Sequence, residues 1–138
     1  MAGPWRSSTD SAAGESGTAR ALTGRAGEAL AQRHLEARGL RILARNYRVA
    51  RGRSRPGGEI DLVALEPDGT LVFVEVRVRR GRMGGGAAAS VNPAKQARLI
   101  HAAQTWLSLL PRVPPCRFDV VAVDGDRVQW LKAAFDEC

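Results

Sequence analysis

Residues 58–78 read GEIDLVALEPDGTLVFVEVRV, and this stretch decides the fold. Two runs rich in Val, Ile, Leu and Phe, Glu59 to Leu65 and Thr70 to Val78, are typical of β-strands. Between them, the segment Pro67 to Gly69 suits a type I turn followed by a glycine in the left-handed conformation. The stretch therefore predicts an antiparallel hairpin with a three-residue loop.

The predicted hairpin brings two acidic side chains together. A three-residue loop places Asp61 directly opposite Glu75, and directly opposed residues have Cβ atoms about 4.5–5.5 Å apart. The other face of the hairpin carries Ile60, Leu62 and Val74, which indicates a well-buried sheet. Two carboxylates in such surroundings are costly unless a cation or a shared proton neutralises them.

A divalent hard cation is the simplest way to neutralise this pair. Mg²⁺ (or Mn²⁺) is held by one or two carboxylates together with water and substrate phosphate oxygens. That arrangement suits phosphodiester hydrolysis. Two alternatives stay open: an exposed hairpin whose carboxylates pair with Arg77 and other arginines, and a two-residue loop that shifts the register and separates the pair.

The rest of the chain predicts an α/β fold with a mixed central sheet flanked by helices. Residues 1–20 are rich in Gly, Ser, Ala and Thr and predict a disordered tail, and residues 21–138 predict a single domain. Helices are predicted between the N-cap Thr23 and Gly39, and from Asn92-Pro93 to about Leu110. The other predicted elements are strands at Leu40 to Val49, Arg117 to Val123 and Val128 to Leu131, and a flexible loop from Gly81 to Ser90.

The charge of the chain favours a polyanionic partner. Lys and Arg total 21 against 14 Asp and Glu, a net charge of +7, although a GC-rich genome gives the same arginine bias. Arginines bracket the predicted carboxylate pair on both sides, as a groove that follows nucleic-acid phosphates requires. The predicted phosphate-binding residues are Arg48, Arg51, Arg53 and Arg55 before the hairpin and Arg79, Arg80 and Arg82 after it.

The cysteines and the lengths of the apolar runs indicate the expected cellular location of the protein. The two cysteines, Cys116 and Cys138, form no CxxC motif and have no histidine at ligand spacing, so neither a disulfide framework nor a zinc site is expected. No apolar run approaches the roughly 20 residues of a membrane span, and the N-terminus lacks the apolar stretch of a signal peptide. We therefore expect a cytoplasmic protein with no membrane partner.

The sequence resembles the YraN family of uncharacterised bacterial proteins. The hairpin blocks GEIDLVA and VFVEVR are similar to that family's GEIDLIA and VFVEVK, and the resemblance covers about residues 22–135. Three further blocks carry it: Gly27-Glu28, Lys95-Gln96 and Arg117 to Val121. The resemblance implies a restriction-endonuclease-like fold with an αβββαβ core.

The same resemblance implies roles for three acidic residues. Asp61 and Glu75 match the acidic positions of the PD-(D/E)XK nuclease motif. Glu28 matches a glutamate of the first helix that supports the metal in related Holliday-junction resolvases. The lysine position of the motif is held by Arg77, which can contact phosphate but cannot act as a general base. Lys95 is a candidate to replace that lysine; the alternative is a solvated helix residue.

Together these features predict a metal-dependent endonuclease, with Asp61, Glu75, Arg77 and Lys95 as catalytic residues and Asp61, Glu75 and Glu28 as metal ligands. The predicted partner is nucleic acid, with DNA favoured, and a homodimer is left open. One alternative is a non-catalytic nucleic-acid-binding module that keeps the nuclease fold. Another is a protein-interaction subunit whose charge reflects composition alone.

Overall fold

The computed structural model describes residues 19–54, 57–78 and 91–135, with side chains from Gly24 onward. Within these ranges the chain forms two helices and five strands. The helices are α1 (Ala19–Ala37) and α2 (Pro93–Ser108). The strands are β1 (Arg41–Val49), β2 (Gly58–Leu65), β3 (Leu71–Val78), β4 (Cys116–Asp124) and β5 (Arg127–Phe135).

The strands form one open mixed sheet with a helix on each face. Their order is β1-β2-β3-β4-β5; β3 and β4 are parallel, and the other neighbours are antiparallel. On one face α1 packs through Ala31 and Leu35, and on the other α2 packs through Leu99. Alternate β3 residues, such as Val74 and Phe73, contribute to the two cores. The predicted α/β class and mixed sheet are confirmed.

The hairpin between β2 and β3 has the predicted three-residue loop. Glu66 N–H donates to the Thr70 carbonyl oxygen at 2.9 Å, and Gly69 N–H donates back to the Glu66 carbonyl oxygen at 2.9 Å. Gly69 has a φ of 95°, which a residue with a Cβ adopts only at a cost. The Cα partners run from Leu65 with Leu71 to Leu62 with Val74, so the two-residue loop is excluded.

Two element boundaries differ from the prediction by more than two residues. Helix α1 begins at Ala19, so Thr23 is not its N-cap; the segment Ala-Arg-Ala-Leu before Thr23 consists of strong helix formers that extend the helix. Strand β5 extends to Phe135 instead of Leu131, because the Ala133 N–H is bound by the distant Asp119 carboxylate at 2.8 Å. Helix α2 starts after Asn92 as predicted, with the Asn92 side chain accepting from the Lys95 N–H at 2.9 Å.

One further prediction, on the cysteines, is wrong, and two others concern residues that are not described. Cys116 is disulfide-bonded, where the sequence led us to expect no disulfide framework. The flexible loop predicted for Gly81 to Ser90 and nearly all of the predicted tail lie outside the described residues.

Two glycines allow the helices to approach the hairpin closely. A Cβ on Gly58 would lie 2.7 Å from the Arg98 carbonyl oxygen and 2.9 Å from the Ala102 nitrogen, both in the backbone of α2. A Cβ on Gly27 would lie 2.4 Å from a methyl carbon of Val78. Each glycine directly precedes a glutamate, so the close contacts bring Glu28 and Glu59 to the same end of the sheet.

Gly58→Ala should lower the free energy of unfolding by about 1–3 kcal/mol, because the new methyl group overlaps backbone atoms that cannot rotate away. Urea unfolding measures this change. The matched control is Gly24→Ala, where the added Cβ meets no atom within 4 Å. That variant should be stabilised by up to about 1 kcal/mol, since alanine favours a helix interior. Equal stability of Gly58→Ala and wild type would contradict the close contact between α2 and β2.

Candidate active site

The candidate site lies where β2 separates from β3. The paired register ends at Leu62 and Val74. The next hydrogen-bonded pair in that register would be Ile60 with Val76, but the Val76 N–H donates instead to Asp61 Oδ2 at 2.8 Å. Strand β2 stays paired with β1 over this stretch, as Ile60 with Tyr47 shows. The Asp61 carboxylate thus takes the place of the backbone carbonyl that accepts in a continuous ladder, and the two strands separate there.

This opening modifies two details of the predicted hairpin. Asp61 and Glu75 are not partners in the described ladder, although both line the space that the separating strands leave. Ile60 packs in the core on the α2 side together with Val63, and not with Leu62 on the α1 side. Strict alternation therefore fails at Asp61, because the strand turns away from its neighbour there.

The space between the strands is a cavity of about 200 Å³. It brings together every predicted catalytic or metal-binding residue: Glu28, Asp61, Glu75, Arg77 and Lys95. Glu59 and Arg98 also line it. Glu28 comes from α1, and Lys95 from the first turn of α2, so the cavity lies at an end of the sheet that both helices reach.

Glu75 is the most buried acid of the cavity, with 5% of its surface exposed. Its Oε2 lies 3.2 Å from Lys95 Nζ and 3.4 Å from Arg77 Nη1. In the described part of the chain, no hydrogen bond or ion pair reaches Glu75 Oε1 or Asp61 Oδ1. Each of the two carboxylates therefore presents one oxygen that no group of residues 19–54, 57–78 and 91–135 uses.

Burial and neighbouring acids disfavour the ionised forms of Asp61 and Glu28. Burial, reinforced by the Glu75 carboxylate, raises the pKa of Asp61 from its ordinary 3.8 to about 8, although the hydrogen bond from Val76 N–H opposes the shift. Burial also raises the pKa of Glu28, while a hydrogen bond with the Asn46 side chain lowers it. In both residues burial outweighs the hydrogen bond that favours the charged form, so the neutral form is stabilised relative to an exposed carboxyl group.

The carboxylates of Asp61 and Glu75 could bind a divalent cation, but they supply only two protein ligands. Two carboxylates with spare oxygens match the preference of Mg²⁺ for one or two carboxylates plus water and phosphate. Among the residues that the structure describes, however, no three His, Cys, Asp or Glu side chains converge as a metal-binding group. Glu28 lines the cavity but does not complete a three-ligand set.

Sequence reasoning missed three residues of the site. Asn46, with a φ of 51° on β1, contacts Glu28, and no local pattern indicates that contact. Arg98 lies three residues after Lys95 on α2, so helical spacing would have placed both on one face. Glu59 lies two residues before Asp61 in the quoted stretch and was not assigned a role.

The predicted phosphate-binding arginines are only partly described. Arg48 is exposed and lies 3.6 Å from Glu59 Oε2 through its Nε. Arg51 and Arg53 are exposed in the segment after β1. Arg55, Arg79, Arg80 and Arg82 lie outside the described residues.

The comparisons with known proteins identify the family. The family model described as "Uncharacterised protein family UPF0102" matches residues 27–123. The chain belongs to the UPF0102 family. This confirms the resemblance to YraN, which is a member of the same family. A UPF0102 protein of Cupriavidus taiwanensis is 56% identical over 117 residues, 85% of each chain. One of Paracidovorax citrulli is 55% identical over 128 residues, 90% of this chain and 93% of its own.

Both helices are too short or too polar to cross a bilayer, as judged over the described residues.

The raised pKa of Asp61 predicts a pH-dependent stability. Between about pH 4 and pH 8 the folded protein keeps a proton that the unfolded chain has lost, so the free energy of unfolding should fall as pH rises. In metal-free buffer, we expect a loss on the order of 4 kcal/mol between about pH 5 and pH 9, measured by urea unfolding.

Asp61→Asn should remove most of this loss, because the amide oxygen still accepts from Val76 N–H but carries no charge. The control is Asp126→Asn, an exposed residue in the turn between β4 and β5, which should keep the wild-type pH dependence. Parallel pH curves for wild type and Asp61→Asn would contradict the raised pKa.

Proposed function

We propose that this protein is a metal-dependent endonuclease that hydrolyses phosphodiester bonds in nucleic acid, with DNA as the favoured substrate, on a restriction-endonuclease-like core. One observation carries the proposal: Asp61, Glu75, Glu28, Arg77 and Lys95 line a single cavity where a buried hairpin opens. The observed order of elements, αβββαβ followed by β5, agrees with the core that the family resemblance implies.

Asp61 and Glu75 would hold the cation, each through the oxygen that donors in the described part of the chain leave unused. A bound Mg²⁺ or Mn²⁺ supplies charge neutralisation at the phosphate and lowers the pKa of a water ligand. Glu28, on the opposite helix, would orient water in the cavity by accepting hydrogen bonds. The hydrogen bond from the Val76 N–H fixes the Asp61 side chain before the cation binds. Binding of the cation therefore costs little side-chain entropy at Asp61.

Lys95 and Arg77 would together perform the roles of the single lysine in the nuclease motif. Both contact the same oxygen of Glu75, but Lys95 comes from α2 and Arg77 from β3. An ammonium group can transfer a proton, whereas a guanidinium stays charged and stabilises charge that develops on phosphate. We therefore assign water orientation and proton transfer to Lys95, and transition-state charge stabilisation to Arg77.

The central test incubates branched and linear DNAs with the full-length protein in Mg²⁺ or Mn²⁺ and follows cleavage. Wild type should cleave at least one substrate, and EDTA should stop it. Asp61→Asn should lose about 10³-fold or more in rate, because a charged ligand is removed from the metal. The matched control is Asp126→Asn, which should cleave like wild type.

A parallel measurement separates metal binding from cleavage. Mg²⁺ or Mn²⁺ should raise the melting temperature of wild type by mass action, and Asp61→Asn should abolish the increase. Binding of DNA without cleavage by any form on any substrate would instead favour a non-catalytic nucleic-acid-binding module. No effect of either metal on melting would contradict the metal site.

The division between Lys95 and Arg77 makes a further prediction. Lys95→Arg keeps the charge but removes proton transfer, so cleavage should slow by about 10²-fold while DNA binding stays unchanged. Adding Arg77→Lys to that variant should restore part of the rate, because it puts a lysine at the motif position, with a new basic limb in the pH–rate profile. Wild-type cleavage by Lys95→Arg would contradict the assignment.

A further inference from the structure

A second depression adjoins the carboxylate cavity. It is more open, with a volume of about 590 Å³, and is lined by the end of β1, the start of β2 and Arg98 of α2. Glu59 and Arg98 line both spaces, so a chain that leaves the cavity at this side passes directly into the depression.

Glu59 lies between two arginines at this junction. Its Oε2 is 3.6 Å from Arg48 Nε, and its Oε1 is 3.9 Å from Arg98 Nη2. Both distances are longer than a hydrogen bond, and the two arginine side chains are 71% and 50% exposed. Exposed ion pairs of this kind contribute little to stability, so they exchange readily for another anion.

The backbone fixes the three groups relative to one another. Arg48 and Glu59 are Cα partners in the β1–β2 ladder. The glycine before Glu59 lets the backbone of α2 approach within contact of β2 at Arg98 and Ala102. The two guanidiniums therefore meet at Glu59 because of strand pairing and helix packing, and not because of a mobile loop.

A carboxylate in this position resembles a phosphodiester in the features that arginine recognises. Each group presents two equivalent oxygens that share one negative charge, and a guanidinium binds such oxygens through two parallel hydrogen bonds. The observed distances show that Glu59 does not use the arginine donors in this way. The donors stay available for an anion that fits between them.

We propose that Arg48 and Arg98 form a subsite for a nucleic-acid phosphate next to the scissile position, and that Glu59 occupies it until the substrate displaces it. This inference rests on the proposed function, since it names where the backbone leaves the cavity. Glu59 acts as a competing internal anion that weakens binding of nucleic acid. The exposed Arg51 and Arg53 lie just beyond Arg48 along the chain and extend the basic surface.

The test measures binding of a fluorescent duplex DNA to the full chain by anisotropy in EDTA, so that cleavage plays no part. Glu59→Gln should bind about threefold more tightly or better at low salt, because it frees two guanidiniums. Arg98→Gln and Arg48→Gln should each bind about fivefold more weakly and lower the salt slope by about 1.

Matched controls carry the same charge changes at exposed positions away from the junction. Glu36→Gln on α1 and Arg112→Gln after α2 should change the affinity by less than about twofold. The decisive variant combines Glu59→Gln with Arg48→Gln and Arg98→Gln. In that background the gain from Glu59→Gln should disappear, because the glutamate acts through the two arginines.

The outcomes separate the two proposals. A gain from Glu59→Gln no larger than that from Glu36→Gln, or one that persists without the arginines, would overturn the subsite. Equal losses for Arg98→Gln and Arg112→Gln would do the same. Wild type that binds no DNA at low salt would overturn the proposed function together with the subsite, whereas DNA binding and cleavage unaffected by Arg48 and Arg98 would overturn the subsite alone. Thermal melting of every variant identifies losses that come from unfolding.

Discussion

The hydrogen bond from the Val76 N–H to the Asp61 carboxylate determines the shape of the site. A buried N–H needs an acceptor, and in a continuous ladder the acceptor is a backbone carbonyl. Here a side chain takes that place, so the N-terminal part of β2, before Leu62, separates from β3 without leaving the Val76 donor unsatisfied. The interaction holds a carboxyl group in a buried position. The cost of that burial appears as the raised pKa of Asp61, which the hydrogen bond itself lowers. The same hydrogen bond therefore ends the pairing of β2 with β3 and positions Asp61 in the candidate site.

The opened hairpin becomes a cavity only because the helices close over it. Gly27 and Gly58 remove the side chains that would hold α1 and α2 away from the strands. Each glycine is followed by a glutamate that lines the cavity, so one dipeptide supplies both the close contact and the functional group. The Asn92 cap fixes the first turn of α2, which carries Lys95 to Glu75. Helix packing and site assembly thus depend on the same few residues.

The sequence predicted what local rules control. The loop Pro67 to Gly69 set the hairpin register because turn geometry fixes strand pairing, and the Asn92 cap placed α2. Local rules could not predict contacts between segments that are distant in the sequence. The separation of strands at Asp61 depends on a donor fifteen residues away, the length of β5 depends on the buried Asp119, and Arg98 reaches the site through helix packing.

The balance of charge explains how one cavity can hold so many acids. Four carboxylates, those of Glu28, Glu59, Asp61 and Glu75, face three cations, those of Arg77, Lys95 and Arg98. With the pKa of Asp61 raised to about 8, that carboxyl is mainly protonated at neutral pH, which lessens the excess of acids over cations in the cavity. Under the proposed function, a divalent cation and a phosphodiester would enter as an opposed pair and would keep this balance nearly unchanged. The metal would bind Asp61 and Glu75, and the phosphate would lie against the side-chain cations. Binding of each would therefore favour binding of the other, since either one alone leaves the buried site with excess charge.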